Sequence, residues 1–337
     1  MKVSELGEFG LIELFAQIVS RSRGEALLVD IGDDAAAWRT EAPIQLATCD
    51  ALIEDVHFTL STTTWRELGW KSLAVNLSDI AAMGGLPKYA LVSLGLPGDT
   101  EVEGVAQLYE GMAELARLFG VAIAGGDVVA APLLVLSLAV LGEAQGDILT
   151  RGAASPGDQV AVTGFLGASA AGLLMLRKGL QLDGEATSSL RQAHLKPYPR
   201  VAEGQILARH GVKAAIDLSD GLIADLGKVC QASGVGANLR AESIPVHPLV
   251  SANFEKDCLS LALSGGEDYE LLFTATTEVI DEVNKLLPCP VTVIGEIVEQ
   301  EPGRVRLFDE RGREIQLGRG GWEHFAPRRE DEPPGGG

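Results

Sequence analysis

Acidic residues recur beside small ones at D-I-G-D-D (30–34), T-C-D (48–50), N-L-S-D (76–79), G-G-D (125–127), D-L-S-D-G (217–221) and G-G-E-D (265–268). One such acid is ordinarily a solvated surface charge, and one double glycine is ordinarily a turn. Their recurrence points to chemistry. Crowded carboxylates repel unless a cation sits among them, and Mg²⁺ takes oxygen ligands and commonly bridges one or two carboxylates to phosphate. Neighbouring glycines let a phosphate approach main-chain N–H groups. On this reading the acids stand at element ends or turns. Calcium is the rival, but the chain has no D-x-[DN]-x-[DN]-G-x₅-E run. It also lacks a Walker A loop, the kinase H-R-D and D-F-G set, a G-x-S-x-G elbow and H-E-x-x-H.

The spacing predicts a helix over Trp65–Ala82 with Trp70, Leu73, Leu77 and Ile80 on one stripe and Ser72, Asn76 and Asp79 on another. Leu68, Val75, Ala82 and Met83 border the polar stripe, which suits close packing better than water. Asp217 closes an apolar strand, Ser219 is placed to cap the next helix and Asp220 falls in its first turn. Capping explains one or two of these residues, not all of them. His57 reads as a strand histidine that packs or hydrogen-bonds.

Further helices are predicted at Gly7–Ser20, Val102–Phe119, Gly167–Lys178, Pro199–His210 and Asp220–Ala232. Asp30–Phe58 reads as short β segments; further strands are predicted at Tyr89–Leu96, Val121–Ala124, Leu133–Leu141, Gln159–Thr163, Ala214–Asp217, Tyr269–Thr274 and Val291–Ile297. G-G-D-V-V-A-A-P suits a hairpin-like turn better than a βαβ crossover. The polar, Gly-rich stretch Gly142–Asp158 is the best boundary in a chain of 337 residues, giving domains at 1–145 and 146–326, with 327–337 a disordered tail. The class is α/β, with mixed α+β character.

A net charge of −20 argues against sequence-independent nucleic-acid binding. The four cysteines are spread singly, without zinc spacing, and read as reduced, buried side chains. Met1–Gly10 has no apolar leader, and the apolar run Ala131–Leu141 has about half the ~20 residues a membrane-spanning helix needs. A soluble, cytoplasmic protein is expected.

Taken in order, G-E-F-G-L-I-E, D-I-G-D-D-A-A, T-C-D-A-L-I-E-D-V-H-F, K-S-L-A-V-N-L-S-D-I-A-A-M-G-G, I-A-G-G-D, T-R-G-A-A-S-P-G-D, A-I-D-L-S-D-G-L, L-S-G-G-E-D-Y-E-L-L-F and G-W-E-H-F resemble the thiamine-monophosphate kinase family. That family belongs with ATP-binding enzymes typified by aminoimidazole ribonucleotide synthetase. The resemblance runs from Gly7 to Phe325. It implies a two-domain fold in which the N-terminal mixed sheets of a homodimer join into a barrel and a C-terminal α/β domain closes over the nucleotide. It also implies γ-phosphoryl transfer from ATP to thiamine monophosphate with several Mg²⁺ ions.

Carried over by motif, the metal positions are Asp34, Thr48, Cys49, Asp50, Asp79, Asp127, Asp217 and Asp220. Phe119, Gly126, Asp127, Arg151 and Ser219 would contact ATP; His57, Glu267 and Trp322 would contact the acceptor. Neither a covalent nucleophile nor a general base is implied. Cys49 and Phe119 stand where the family usually has threonine and tyrosine, and Asp55 replaces a usual glycine. Cys49 would keep only its carbonyl as an oxygen ligand, while aspartate at 55 tolerates a left-handed turn. Alternatives are a superfamily enzyme with another acceptor and a non-catalytic acidic cation-binding protein. Met1–Asp33 lacks the cysteine that the selenophosphate branch expects, and the chain lacks the terminal cysteine of the hydrogenase-maturation branch.

Overall fold

The computed structural model describes residues 1–19, 27–29, 37–38, 40–317 and 321. Asp30, Asp33, Asp34, Trp322 and the expected tail at 327–337 lie outside the described residues. The described residues divide into two compact units, one formed by Met1–Ile80 with Leu86–Gln145, the other by Ala81–Gly85 with the described residues from Gly146 to Gly321.

The first unit runs α1 (Val3–Val19), β1 (Leu27–Val29), β2 (Ala37–Trp38), β3 (Ile44–Ile53), α2 (Trp65–Ala82), β4 (Leu86–Leu96), α3 (Val102–Phe119), β5 (Ala122–Ala130) and β6 (Val135–Ala144). The last turn of α2 groups with the second unit. The main sheet has the order β3-β6-β4-β5, antiparallel except for the parallel pair β4–β5. Thus β4, α3 and β5 form a parallel crossover, and β4 lies between β5 and β6. The hairpin expected at G-G-D-V-V-A-A-P is corrected. The buried strand β4 takes a neighbour on each edge, and Gly125–Asp127 become the middle of β5. Along β6, buried Leu136, Leu138 and Val140 alternate with half-buried residues, so one face is enclosed and the other more open. Val105, Leu108, Met112 and Leu115 form the buried stripe of α3, and Tyr109 stacks on Phe15 of α1 at 3.7 Å. Ser72 and Asn76 are as buried as Leu73 and Leu77, which agrees with close packing around the polar stripe.

The second unit contains β7 (Gln159–Thr163), α4 (Ala168–Lys178), α5 (Gly184–Leu195), α6 (Val201–Arg209), β8 (Ala214–Asp217), α7 (Leu222–Ser233), β9 (Gly236–Arg240), α8 (Pro248–Asn253), α9 (Cys258–Ser264), β10 (Leu271–Ala275), α10 (Thr277–Leu286), β11 (Val291–Val298), β12 (Val305–Phe308) and β13 (Glu314–Ile315). Its sheet has the order β13-β12-β9-β11-β7-β10-β8, and only β9–β12 is a parallel pair. Val160, Val162, Ile216 and Leu272 pack with Leu226 and Val229 of α7, while Ala161, Ala215, Leu271 and Phe273 pack with Leu207 of α6 and Val283 of α10. Successive residues of a strand face opposite sides, so a sheet covered on both faces reads as an unbroken apolar run. All four cysteines are free, but only Cys230 is buried; Cys49 is exposed, so the expectation of four buried thiols is corrected.

Candidate active site

In the first unit T-C-D lies inside β3, N-L-S-D inside α2 and G-G-D inside β5, not at element ends as expected. Regular elements hold these acids because their backbones are already paired in a ladder or helix. Thr48 and Asp50 share one face of β3, and the Thr48 hydroxyl donates to Asp79 Oδ2 at 2.5 Å. The main-chain N–H of Asp50 donates to Asn76 Oδ1 at 3.1 Å, while Asn76 Nδ2 donates to the Ser72 carbonyl. Strand alternation turns the Cys49 side chain to the opposite face, where Sγ lies 3.5 Å from Ser137 Oγ.

Asp127 is not brought beside Asp50. The row Asp50–Leu138–Val92–Gly126 crosses the whole sheet, and its three strand spacings separate the edges by about 14 Å. Gly126 must be glycine because a Cβ there would fall 1.9 Å from the Val92 carbonyl oxygen. Phe119 closes α3. His57 lies in the turn after β3, not in a strand; its Nδ1 accepts the Ile53 N–H at 3.0 Å. Asp55 adopts φ 61° in that turn, the left-handed conformation expected from its glycine-like place.

In the second unit D-L-S-D-G and G-G-E-D lie side by side. Leu218 N–H donates to the Glu270 carbonyl at 2.9 Å, Tyr269 N–H to that of Leu218 at 2.9 Å, and Glu267 N–H to that of Ser219 at 2.8 Å. Gly266 lies so close that a Cβ would fall 2.3 Å from the Ser219 carbonyl oxygen. Asp217 is buried at the end of β8.

Ser219 does not cap α7, whose N-cap is Gly221. Asp225 does the work instead: its Oδ2 accepts the N–H groups of Ser219, Asp220 and Gly221 at 3.0, 3.0 and 3.1 Å. A carboxylate one turn into the helix can fold back over three free N–H groups, which a single serine hydroxyl cannot satisfy. Burial pushes the Asp225 carboxyl up, opposed chiefly by Lys228. Lys228 Nζ lies 2.5 Å from Asp220 Oδ2 and 2.7 Å from Asp225 Oδ1. Burial alone would pull its pKa down, but these carboxylates outweigh burial and raise it. Arg151 is exposed in a 3₁₀ turn whose carbonyl accepts the Ser233 hydroxyl at 2.8 Å.

G-G-E-D runs directly into Tyr269 and Glu270, and successive acids turn to different partners. Glu267, at φ 65°, reaches His194; Asp268 accepts the N–H groups of Gly167 and Ser169 at the start of α4; Glu270 is gripped by Arg200 through Nε at 2.7 Å and Nη2 at 2.5 Å. Thr163 Oγ1 also donates to Glu270 Oε2 at 2.6 Å. Burial pushes the Asp268 carboxyl up to about 7.

Sequence reasoning missed Asp225, Lys228, His194 and Arg200. The i, i+3 pair Asp225–Lys228 was a visible signal. The partners of His194 and Arg200 lie some seventy residues away, beyond any local pattern.

Taken unit by unit, the donors suit a hard cation, because Thr48, Asp50, Asp79 and Asp127 in the first and Asp217 and Asp220 in the second offer only oxygens. Among the described residues no three His, Cys, Asp or Glu side chains converge into a self-contained chelate. Mg²⁺ commonly completes its octahedral shell with water and phosphate oxygens.

Family profiles described as AIR synthase related protein, N-terminal and C-terminal domains, match residues 32–144 and 155–308. Thiamine-monophosphate kinase of Bacillus subtilis is 38% identical over 308 residues, spanning 88% of this chain and 93% of that one. Its Escherichia coli K12 counterpart is 38% identical over 327 residues, spanning 95% and 98%. The solved structure described as AaThiL complexed with AMPPCP and TMP matches with a TM-score of 0.76 at 34% identity, covering 96% of this chain and 99% of that one. The chain belongs to the thiamine-monophosphate kinase family.

Proposed function

We propose that this chain transfers the γ-phosphoryl group of ATP to the phosphate of thiamine monophosphate, forming thiamine diphosphate and ADP. The observation that carries the reading is its near full-length relation to thiamine-monophosphate kinases. The relative complexed with AMPPCP and TMP gives the nucleotide and the acceptor a place in that fold.

The acceptor is a phosphate monoester with a second pKa of about 6, so near neutrality it is already an anionic nucleophile. No side chain need take its proton, which agrees with His57 Nδ1 being engaged as an acceptor. The work left to the protein is alignment and charge neutralisation. Asp34, Thr48, the Cys49 carbonyl, Asp50, Asp79, Asp127, Asp217 and Asp220 would hold Mg²⁺. When bound, Mg²⁺ neutralises phosphate charge and draws donor and acceptor together. Gly126, Asp127, Arg151 and Ser219 would seat the triphosphate and Phe119 the base; His57, Glu267 and Trp322 would seat the acceptor. Lys228 makes Asp220 the acid that must exchange an internal cation for an external one.

A homodimer belongs to the same reading. Gln45, Ala47, Cys49 and Ala51 are exposed on one face of β3, and β3 and β5 are both edge strands. A barrel closed by a second copy would join such edges and bring Asp127 of one copy toward Asp50 of the other. We place the enzyme in the cytoplasm, with ATP; among the described residues no helix is long and apolar enough to cross a membrane.

The deciding experiment follows ADP formation with thiamine monophosphate, with free thiamine and with no acceptor, each with and without Mg²⁺. Turnover on thiamine monophosphate that requires Mg²⁺ is the expected result. Turnover on free thiamine alone would overturn the acceptor, and bound ATP without any turnover would favour a cation-binding protein.

A further inference from the structure

The segment H-L-K-P-Y-P-R (194–200) holds the acidic turn at both ends. Arg200 takes Glu270 in a bidentate pair, and His194 takes Glu267. The Arg200 end is a sealed scaffold: Glu270 also accepts Thr163 and is almost completely buried.

The His194 end differs. His194, in the last turn of α5, and Ser169, in the first turn of α4, are 5% and 1% exposed, but the Glu267 side chain they lead to keeps 20% of its surface. His194 Nδ1 lies 3.1 Å from Ser169 Oγ and 3.2 Å from Glu267 Oε2. Glu267 has φ 65°, a conformation that non-glycine residues adopt only when the surroundings impose it. Its N–H is tied to the Ser219 carbonyl at 2.8 Å, so the main chain is fixed against D-L-S-D-G while the carboxylate is aimed by the imidazole. A buried imidazole is a suitable aiming group. Nδ1 has both Ser169 Oγ and Glu267 Oε2 in reach, and an imidazole N–H turned to the carboxylate would orient one of its oxygens without the fixed positive charge of a lysine or arginine. The exposed fifth of the Glu267 side chain is the part that a cationic heteroaromatic ring or its amino group would meet.

We propose that His194 is a positioning residue for the acceptor. Held by Ser169, it aims the Glu267 carboxylate at the cationic part of thiamine monophosphate and so sets acceptor affinity separately from ATP affinity. The inference rests on the reading of Glu267 as an acceptor contact. On this inference His194 and Ser169 act through Glu267 and need touch neither substrate.

The test uses the full-length protein and its His194→Ala, His194→Asn and Ser169→Ala variants, with KM for each substrate, kcat, melting temperature and calorimetric binding of thiamine monophosphate. His194→Ala is expected to raise the acceptor KM and Kd about tenfold, as loss of a hydrogen bond to a charged group does, with ATP KM unchanged. Asparagine places an amide N–H near the position of Nδ1 and is expected to restore most of that loss. Ser169→Ala is expected to give a smaller shift of the same kind. In a Glu267→Ala background, His194→Ala should add nothing further. Equal shifts in both KM values, or a full His194 effect without Glu267, would overturn the inference. Should His194→Ala fail to fold, unchanged acceptor KM and Kd in Ser169→Ala would overturn it. Normal wild-type turnover separates these outcomes from failure of the functional reading itself, which would appear as no turnover on thiamine monophosphate.

Discussion

In the first unit the acids of interest sit within two strands and a helix, and their contacts include the Thr48 hydroxyl on Asp79, the Asn76 amide on the Asp50 main chain and the Val128 N–H on Asp127. In the second unit Asp220, Glu267 and Asp268 sit in turns between elements, and with Asp225 of α7 and Glu270 these acids meet Lys228, His194, Arg200 and rows of backbone N–H groups. Strand and helix are held by their own main-chain bonds, so an acid there can be directed toward an external cation without supporting the fold. A turn has no such ladder. Its shape must come from side chains, and here anionic side chains and their internal partners supply it. On the proposed function, charge in the first unit would serve chiefly binding, and charge in the second would be divided between binding and architecture.

The sharpest way to break that contrast is Arg200→Met. Glu270 would remain buried without its guanidinium partner, and losing one member of such a pair destabilises by about 3–5 kcal/mol. Urea denaturation should show the loss, and Arg200→Met with Glu270→Leu should recover much of it, because the uncompensated charge goes too. A loss below about 1 kcal/mol in the single variant would mean that the turn does not depend on its internal charges.

The matching change in the first unit is Asp79→Asn, which keeps an acceptor for the Thr48 hydroxyl but removes the charge. Turnover should fall about 100-fold or more, whereas the unfolding free energy should move by less than about 0.5 kcal/mol. Asp220→Asn, by contrast, should reduce both, because Lys228 loses one of its two carboxylates. Comparable stability losses at Asp79 and Asp220 would erase the distinction between the units.

The same division explains what could be read from the sequence. Helices Trp65–Ala82 and Val102–Phe119 and strands Gln159–Thr163 and Ala214–Asp217 have the predicted bounds, since long amphipathic spacing and unbroken apolar runs are local signals. The mixed class and the burial around Ser72 and Asn76 followed from the same kind of signal. Strand order did not, because whether β6 pairs with β5 or β4 depends on which edge needs covering. Glycine was misleading in G-G-D: it marks close backbone approach to Val92 within β5, not a turn. The acids were legible as a set, whereas their internal partners were not. Asp225 lay within reach of local reasoning, since a helix start with three free N–H groups asks for an acceptor nearby.

Asp268 gives the contrast a pH dependence. Its folded-state pKa of about 7 lies above the ordinary 3.8, so the native state binds a proton that the unfolded chain has released. Stability from this group is full below pH 3.8 and is lost as pH rises through about 7. Between pH 5.5 and 7 the loss should be about 1.6 kcal/mol. Asp268→Asn carries no titrating proton and should flatten that part of the stability profile. An unchanged slope in the variant would remove Asp268 as its source.

The smallest effect belongs to Cys49. It stands between two expected metal-binding residues, yet alternation along β3 points its side chain to the face opposite Thr48 and Asp50. Only its carbonyl can join them, and that group is indifferent to the side chain. Cys49→Ala and Cys49→Thr should therefore keep turnover and the Mg²⁺ requirement within about twofold, and stability within about 0.5 kcal/mol. Cys49→Thr is the stricter variant, because it introduces the hydroxyl that the family resemblance would place there. If it tightened the Mg²⁺ requirement several-fold, the side chain at 49 would have to reach the metal, and the two faces of β3 would not be separate in the working enzyme.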